Sequence, residues 1–194
     1  MQAARGASLT DGDLEKTPDH RPRSRRHLVV LGLVALLGYA ADQGTKELAL
    51  AGLEPGERVS VVGDALTLYL TSNSGAAFSL GTSYTTVLSW IAVAAALTTL
   101  WFARRVGSTG WALALGFLLA GVLGNLTDRV LREPGPMRGH VIDFLAFPNF
   151  PVFNVADICI NIAAGLIILQ TVRGLHLDGT RDRDRPSDPA EDRA

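Results

Sequence analysis

Two aspartates stand in one apolar stretch, GHVIDFLAFPNFPVFNVADICINI, residues 139–162: Asp143 and Asp157, accompanied by Asn154 and Asn161. Two carboxylates held close together away from water cannot both ionise cheaply, so they share a proton. The ionised member can take a proton from water while the protonated one donates to a carbonyl oxygen. That combination hydrolyses a peptide bond without a metal or a covalent intermediate. A plainer reading also fits: Asp143 caps a helix and Asp157 hydrogen-bonds inside a bundle. Spacing alone leaves both open.

Two more clusters put ionisable groups among apolar ones. Asp42 and Lys46 are four apart, the spacing of an ion pair along one helix, with interfacial snorkelling as the simplest use. Asn125, Asp128 and Arg129 follow Gly121 and Gly124. On a helix Asn125 lies beside both Asp128 and Arg129, which suits a buried polar network with glycines allowing close helix approach. Nucleophile chemistry fits less well: there is no GxSxG, and no histidine sits within a segment long and apolar enough to span a membrane. The single cysteine, Cys159, forms no intrachain disulfide and reads as a packing residue. His20, His27, His140 and His176 are scattered without ligand spacing, so no metal or other cofactor is expected.

The elements that must position these groups are apolar and long. The chain has 194 residues, enough for one domain, and a formal net charge of −1, so no basic face invites nucleic acid. Four segments approach the roughly 20 apolar residues that cross a bilayer: about 28–50, 84–103, 111–130 and 152–172. The expected fold class is an all-α membrane protein with four transmembrane helices. A small β element is expected in the first outer loop, where VSVV and LTLYL carry β-branched and alternating character. Arg21, Arg23, Arg25, Arg26, Arg104, Arg105 and Arg173 flank one side of the spans, against Arg58, Arg132 and Arg138 on the other. By the positive-inside rule both termini are cytoplasmic, and the polar clusters gather toward the extracytoplasmic face. The first span also has the basic start and small-residue YAA of a signal peptide, but three more spans follow and Asp42 and Lys46 continue the helix. The domain organisation is thus a polar tail over 1–26, a four-span body over 27–173 and a second polar tail over 174–194, both tails expected to be disordered and cytoplasmic.

Five blocks in order, DQGTK at 42–46, NSGAAFS at 73–79, GNLTDR at 124–129, VIDF at 141–144 and FNVAD at 153–157, resemble lipoprotein signal peptidase, the signal peptidase II family of aspartic peptidases. The resemblance covers roughly 28–172. It implies that Asp143 and Asp157 are the catalytic dyad, with Asn125, Asp128 and Arg129 as the supporting network. It implies roles in activity or substrate binding for Asp42, Lys46, Asn73, Gly75 and Asn154. Gly75 would let substrate backbone approach closely. The implied substrates are bacterial prolipoproteins, cut just before a cysteine carrying diacylglycerol anchored in membrane lipid. Implied too are a metal-free mechanism, a place in the cell membrane and block by globomycin. Two departures stand out: Ser74 where Thr is frequent, and an EPGPMR insertion at 133–138 of a kind found in actinobacterial members, with Pro134, Gly135 and Pro136 suiting a rigid turn. The rival readings are a small proton-coupled transporter or channel, whose relay of Asp and Asn would cross the bilayer, and a structural membrane subunit.

Overall fold

The computed structural model describes residues 25–75 and 83–182. The expected tails over 1–24 and 183–194, and residues 76–79 of the NSGAAFS block, lie outside the described residues.

Among the described residues four helices are long and apolar enough to cross a membrane: α1 (Arg25–Gly52), α2 (Ser83–Ala103), α3 (Thr109–Leu131) and α4 (Val155–Val172). The longest, α1, has 28 residues, or about 42 Å at 1.5 Å per residue, more than a hydrocarbon core needs. Large apolar side chains point outward, Leu36 and Leu37 on α1, Trp90 and Leu97 on α2, and Ile168 and Val172 on α4. Such faces are stable only against lipid, since water would find them a continuous apolar patch.

The enclosed helix is α3, which packs against the other three. Small residues make that possible. A side chain added at Gly116 would run into Val34, one at Gly121 into Ala156 and Ile160, and one at Gly124 into the Asp42 carboxylate. Close approach of backbones is the usual device for binding helices where lipid removes the hydrophobic driving force. Ser108 starts α3, its side chain accepting from the Trp111 N–H at 3.3 Å.

At one end of the bundle lies a three-stranded antiparallel sheet in the order β1 (Arg58–Val62), β2 (Leu66–Asn73), β3 (Val141–Ala146). The first two strands are the expected β element. The third corrects an expectation: Asp143 sits on a strand, neither in a loop nor at a helix cap. All but one residue of β3 is buried, so VIDFLA lacks the polar alternation that marks a half-exposed strand. The EPGPMR segment makes successive turns, with Gly135 N–H to Arg132 O at 3.2 Å and Arg138 N–H to Gly135 O at 3.0 Å. After β3, Asn149 at φ 57° and the Phe150 N–H to Phe147 O bond, 3.3 Å, reverse the chain. Phe153 then pairs with Leu145, so α4 begins at Val155 rather than at 152.

Residues 174–182 differ from the disordered tail expected there. They fold back on the opposite end of the bundle: Gly107 N–H donates to Leu177 O and Trp111 Nε1 to Leu175 O, each at 2.8 Å. The turn is held by these backbone and indole hydrogen bonds together with Leu177, which packs against the apolar core of the bundle; two leucines in a polar tail are only a faint hydrophobic signature in the sequence.

Candidate active site

Asn73 closes β2 and Asp143 lies on β3. Thr71 pairs with Asp143, so Asn73, two residues on, projects from the same face as its diagonal neighbour. Its Nδ2 donates to Asp143 Oδ2 at 2.9 Å. Asp143 is 2% exposed. Burial and the nearby Asp157 carboxylate push its pKa up to about 6, against the hydrogen bonds from Asn73 and Asn154 and the charge of Lys46.

The other aspartate belongs to the start of α4. Asn154 is its N-cap and makes a reciprocal capping box with Asp157: Asp157 N–H donates to Asn154 Oδ1 at 3.0 Å, and Asn154 N–H to Asp157 Oδ2 at 3.1 Å. Asn154 Nδ2 also donates to Asp143 Oδ1 at 2.6 Å. One fully buried amide side chain therefore joins the two aspartates. Asn125 on α3 completes the bridge, donating from Nδ2 to Asp157 Oδ1 at 2.9 Å and accepting from Asn154 Nδ2 at 3.1 Å.

Beneath this pair lies an ion network without solvent contact. Lys46 Nζ is 2.8 Å from Asp42 Oδ2 and 2.8 Å from Asp128 Oδ2, all three side chains being fully buried. It also donates to Asn125 Oδ1 at 3.1 Å. The ion pair expected from spacing is present, but Lys46 is buried between two carboxylates rather than snorkelling. Each carboxylate then uses an oxygen on the backbone beside a candidate catalytic residue. Asp42 Oδ1 accepts from Ala156 N–H at 2.8 Å and Asp128 Oδ2 from Ile142 N–H at 3.2 Å. Lys46 thus ties together the residues that precede Asp157 and Asp143.

Arg129 projects near the pair, close enough for its guanidinium to interact with Asp143, Asp157 and Asp128. Its buried Nη1 has no hydrogen-bond partner among the described residues. The expected grouping of Asn125, Asp128 and Arg129 holds in part: Asn125 and Asp128 share Lys46 as a partner, while Arg129 makes no bond to either. Arg132 was overlooked at the sequence level except as a flanking charge. Its Nε lies 2.6 Å from Asp128 Oδ1 and its Nη2 2.7 Å from Glu47 Oε1. The four-residue spacing of Asp128 and Arg132 was the available signal.

Asn73, Asp143 and Asp157 open onto a cleft of about 870 Å³ walled by Phe147, Phe150 and Ile162. Asn161 lines the same cleft, its Nδ2 donating to Asp157 O at 2.9 Å. Gly75 adopts φ 93°, open to glycine but strained for other residues. Cys159 is buried and unpaired, facing the Gly38 side of α1. Among the described residues no group of three or more His, Cys, Asp or Glu converges to hold a metal ion.

Four spans, a sheet over one end and a bridged carboxylate pair at a cleft mouth have the layout of a membrane aspartic peptidase. The profile of the signal peptidase II family matches residues 34–173, and the chain belongs to that family. It is 46% identical over 172 residues to the lipoprotein signal peptidase of Leifsonia xyli subsp. xyli, covering 88% of this chain and 80% of that protein. It is 44% identical to the lipoprotein signal peptidase of Streptomyces coelicolor, covering 94% and 92%. Among solved structures it is similar to a bacterial membrane enzyme with a TM-score of 0.64 and 26% identity, over 77% of this chain and 94% of that one.

Proposed function

We propose that this membrane peptidase removes signal peptides from prolipoproteins, cutting before a diacylglyceryl-modified cysteine, with Asp143 and Asp157 as its dyad. The observation that carries the dyad is the Asn154 bridge, which holds both carboxylates at the mouth of an apolar cleft. Asp157 acts as the base: it takes a proton from water as the water oxygen attacks the scissile carbonyl carbon. Asp143 supplies the proton that it retains below about pH 6 to the carbonyl oxygen. The tetrahedral intermediate then collapses: Asp143 takes back a hydroxyl proton, the C–N bond breaks, and the amine leaves with the proton that Asp157 took from water. Arg129 holds a positive charge in the field of both aspartates. Asn73, Asn125 and Asn154 orient the carboxylates, while Asp42, Lys46 and Asp128 fix the backbones that carry them.

The flanking arginines favour cytoplasmic termini and an extracytoplasmic sheet. The cleft then opens where a lipid-anchored cysteine meets the membrane surface, and its apolar walls suit the signal peptide or a globomycin-type inhibitor. A transporter is not favoured. Asp42, Lys46, Asn125, Asp128 and the two candidate aspartates belong to one connected network at one end, whereas a proton relay would have to cross the bilayer. Cleavage of a diacylglyceryl prolipoprotein by Asp143→Asn and Asp157→Asn tests the reading. Both should accumulate in membranes and fail to cut.

A further inference from the structure

On α2 most large side chains face outward, yet Thr85 is 1% exposed. Among the described residues its hydroxyl has one partner, and that partner lies off the helix. It donates to the carbonyl of Ser74, in the turn that follows β2. The sheet ladder ends at the Asn73–Val141 pair, so no strand pairing holds that carbonyl.

The Ser74 carbonyl and the Gly75 N–H are two ends of one peptide group, which is planar and rigid. Fixing the oxygen fixes the direction of the N–H. That N–H donates to Asn73 Oδ1 at 2.8 Å. With its oxygen engaged, the Asn73 amide must present Nδ2 to Asp143, which it does at 2.9 Å. A flipped amide would turn an oxygen toward a carboxylate and leave the Gly75 donor facing an NH₂ group. Four groups from α2, the turn, β2 and β3 thus form one directional chain, each bond polarising the next.

We infer that Thr85 is a positioning residue for the peptidase reaction, orienting the Asn73 amide on Asp143 through the Ser74–Gly75 peptide. The inference rests on Asp143 being catalytic. Other charges facing Asp143 are Asp157 from α4, Lys46 from α1 and Arg129 from α3; the bonds described for Asp157 and Lys46 do not involve Thr85, so its substitution leaves those bonds in place.

The test compares Thr85→Val, which keeps the branched shape, with Thr85→Ser, which keeps the hydroxyl. The readout is the pH profile of kcat/KM on a diacylglyceryl prolipoprotein in nanodiscs. Thr85→Val should lower the plateau roughly 3- to 10-fold, the scale of one hydrogen bond. It should also move the alkaline limb to higher pH, in the direction of Asn73→Ala, and add nothing in the double variant. Thr85→Ser should restore both plateau and limb. An unmoved limb in Thr85→Val, an additive double variant, or a Thr85→Ser as impaired as Thr85→Val each overturns the inference. If Thr85→Val fails to accumulate, Thr85→Cys, a weak donor of similar size, is read by the same criteria. Asp143→Asn separates the layers: if it is inactive while the Thr85→Val profile is unmoved, only the positioning role falls, and if it is active the dyad falls as well.

Discussion

Asn154 donates from its side chain to Asp143 Oδ1 at 2.6 Å while its own N–H is capped by Asp157 Oδ2 at 3.1 Å. A helix cap and a link between two carboxylates are thus the same residue. The start of α4 cannot shift without altering the geometry of the pair. This coupling of fold to site recurs in Lys46, and it sets the consequences below.

The first concerns pH. Burial and Asp157 raise the Asp143 pKa to about 6. In the proposed mechanism the productive form holds its proton on Asp143, so that form is lost as pH rises through this value. kcat/KM, which reports the free enzyme, should therefore fall on the alkaline side of about pH 6. Asn73 stabilises the ionised carboxylate, so Asn73→Ala should carry the limb to higher pH. A limb that moves down in that variant contradicts the assignment.

Lys46→Met should be strongly destabilising. It leaves Asp42 and Asp128 buried without their shared cation, and breaking such a group by removing one partner costs about 3–5 kcal/mol. Thermal unfolding in detergent should show a large drop in midpoint. An unchanged midpoint would mean that the network contributes little to the fold.

Gly124→Ala and Gly44→Ala should separate cleanly. A Cβ at Gly124 collides with the Asp42 carboxylate and crowds Ala156, whereas at Gly44 it meets nothing within 4 Å. Overpacking costs about 1–3 kcal/mol, and here it also pushes apart α1, α3 and α4 under the site. Gly44→Ala should be neutral or slightly stabilising. Equal behaviour of the two variants in thermal unfolding would argue against close packing at Gly124.

Truncation should distinguish the two halves of the C-terminal segment. A chain ending at 182 keeps the bonds from Gly107 to Leu177 and from Trp111 to Leu175. A chain ending at 173 loses both, about 1–3 kcal/mol at typical hydrogen-bond strengths. The shorter chain should unfold at lower temperature and the longer one like the full chain. Identical midpoints would show that the turn is loosely held.

What was legible in the sequence follows the physics of each signal. The spans were readable because lipid demands uninterrupted apolar length. The Asp42–Lys46 pair and the shared face of Asn125 and Asp128 were readable because helical spacing is short-range. Glycines 121 and 124 marked close packing for the same reason. By contrast, β3 was hidden because near-complete burial erases alternation. Lys46 pairing with Asp128, and Asp42 accepting from Ala156, depend on tertiary contacts between distant segments. Thr85 carried no signal, since a threonine near a helix start is ordinary. The bridging role of Asn154 was half visible: the box with Asp157 is local, but its reach to Asp143 depends on how the chain reverses at Phe147–Phe150.

The most direct measurement is single-turnover cleavage of a purified diacylglyceryl prolipoprotein by Asp143→Asn and Asp157→Asn, each first shown to be folded by its thermal midpoint. General acid–base groups typically contribute about 10²–10⁴-fold each. Both variants should lose at least that much while the midpoint stays within a few degrees of the parent. A folded variant of either aspartate that still cuts at near-parental rate would contradict the dyad.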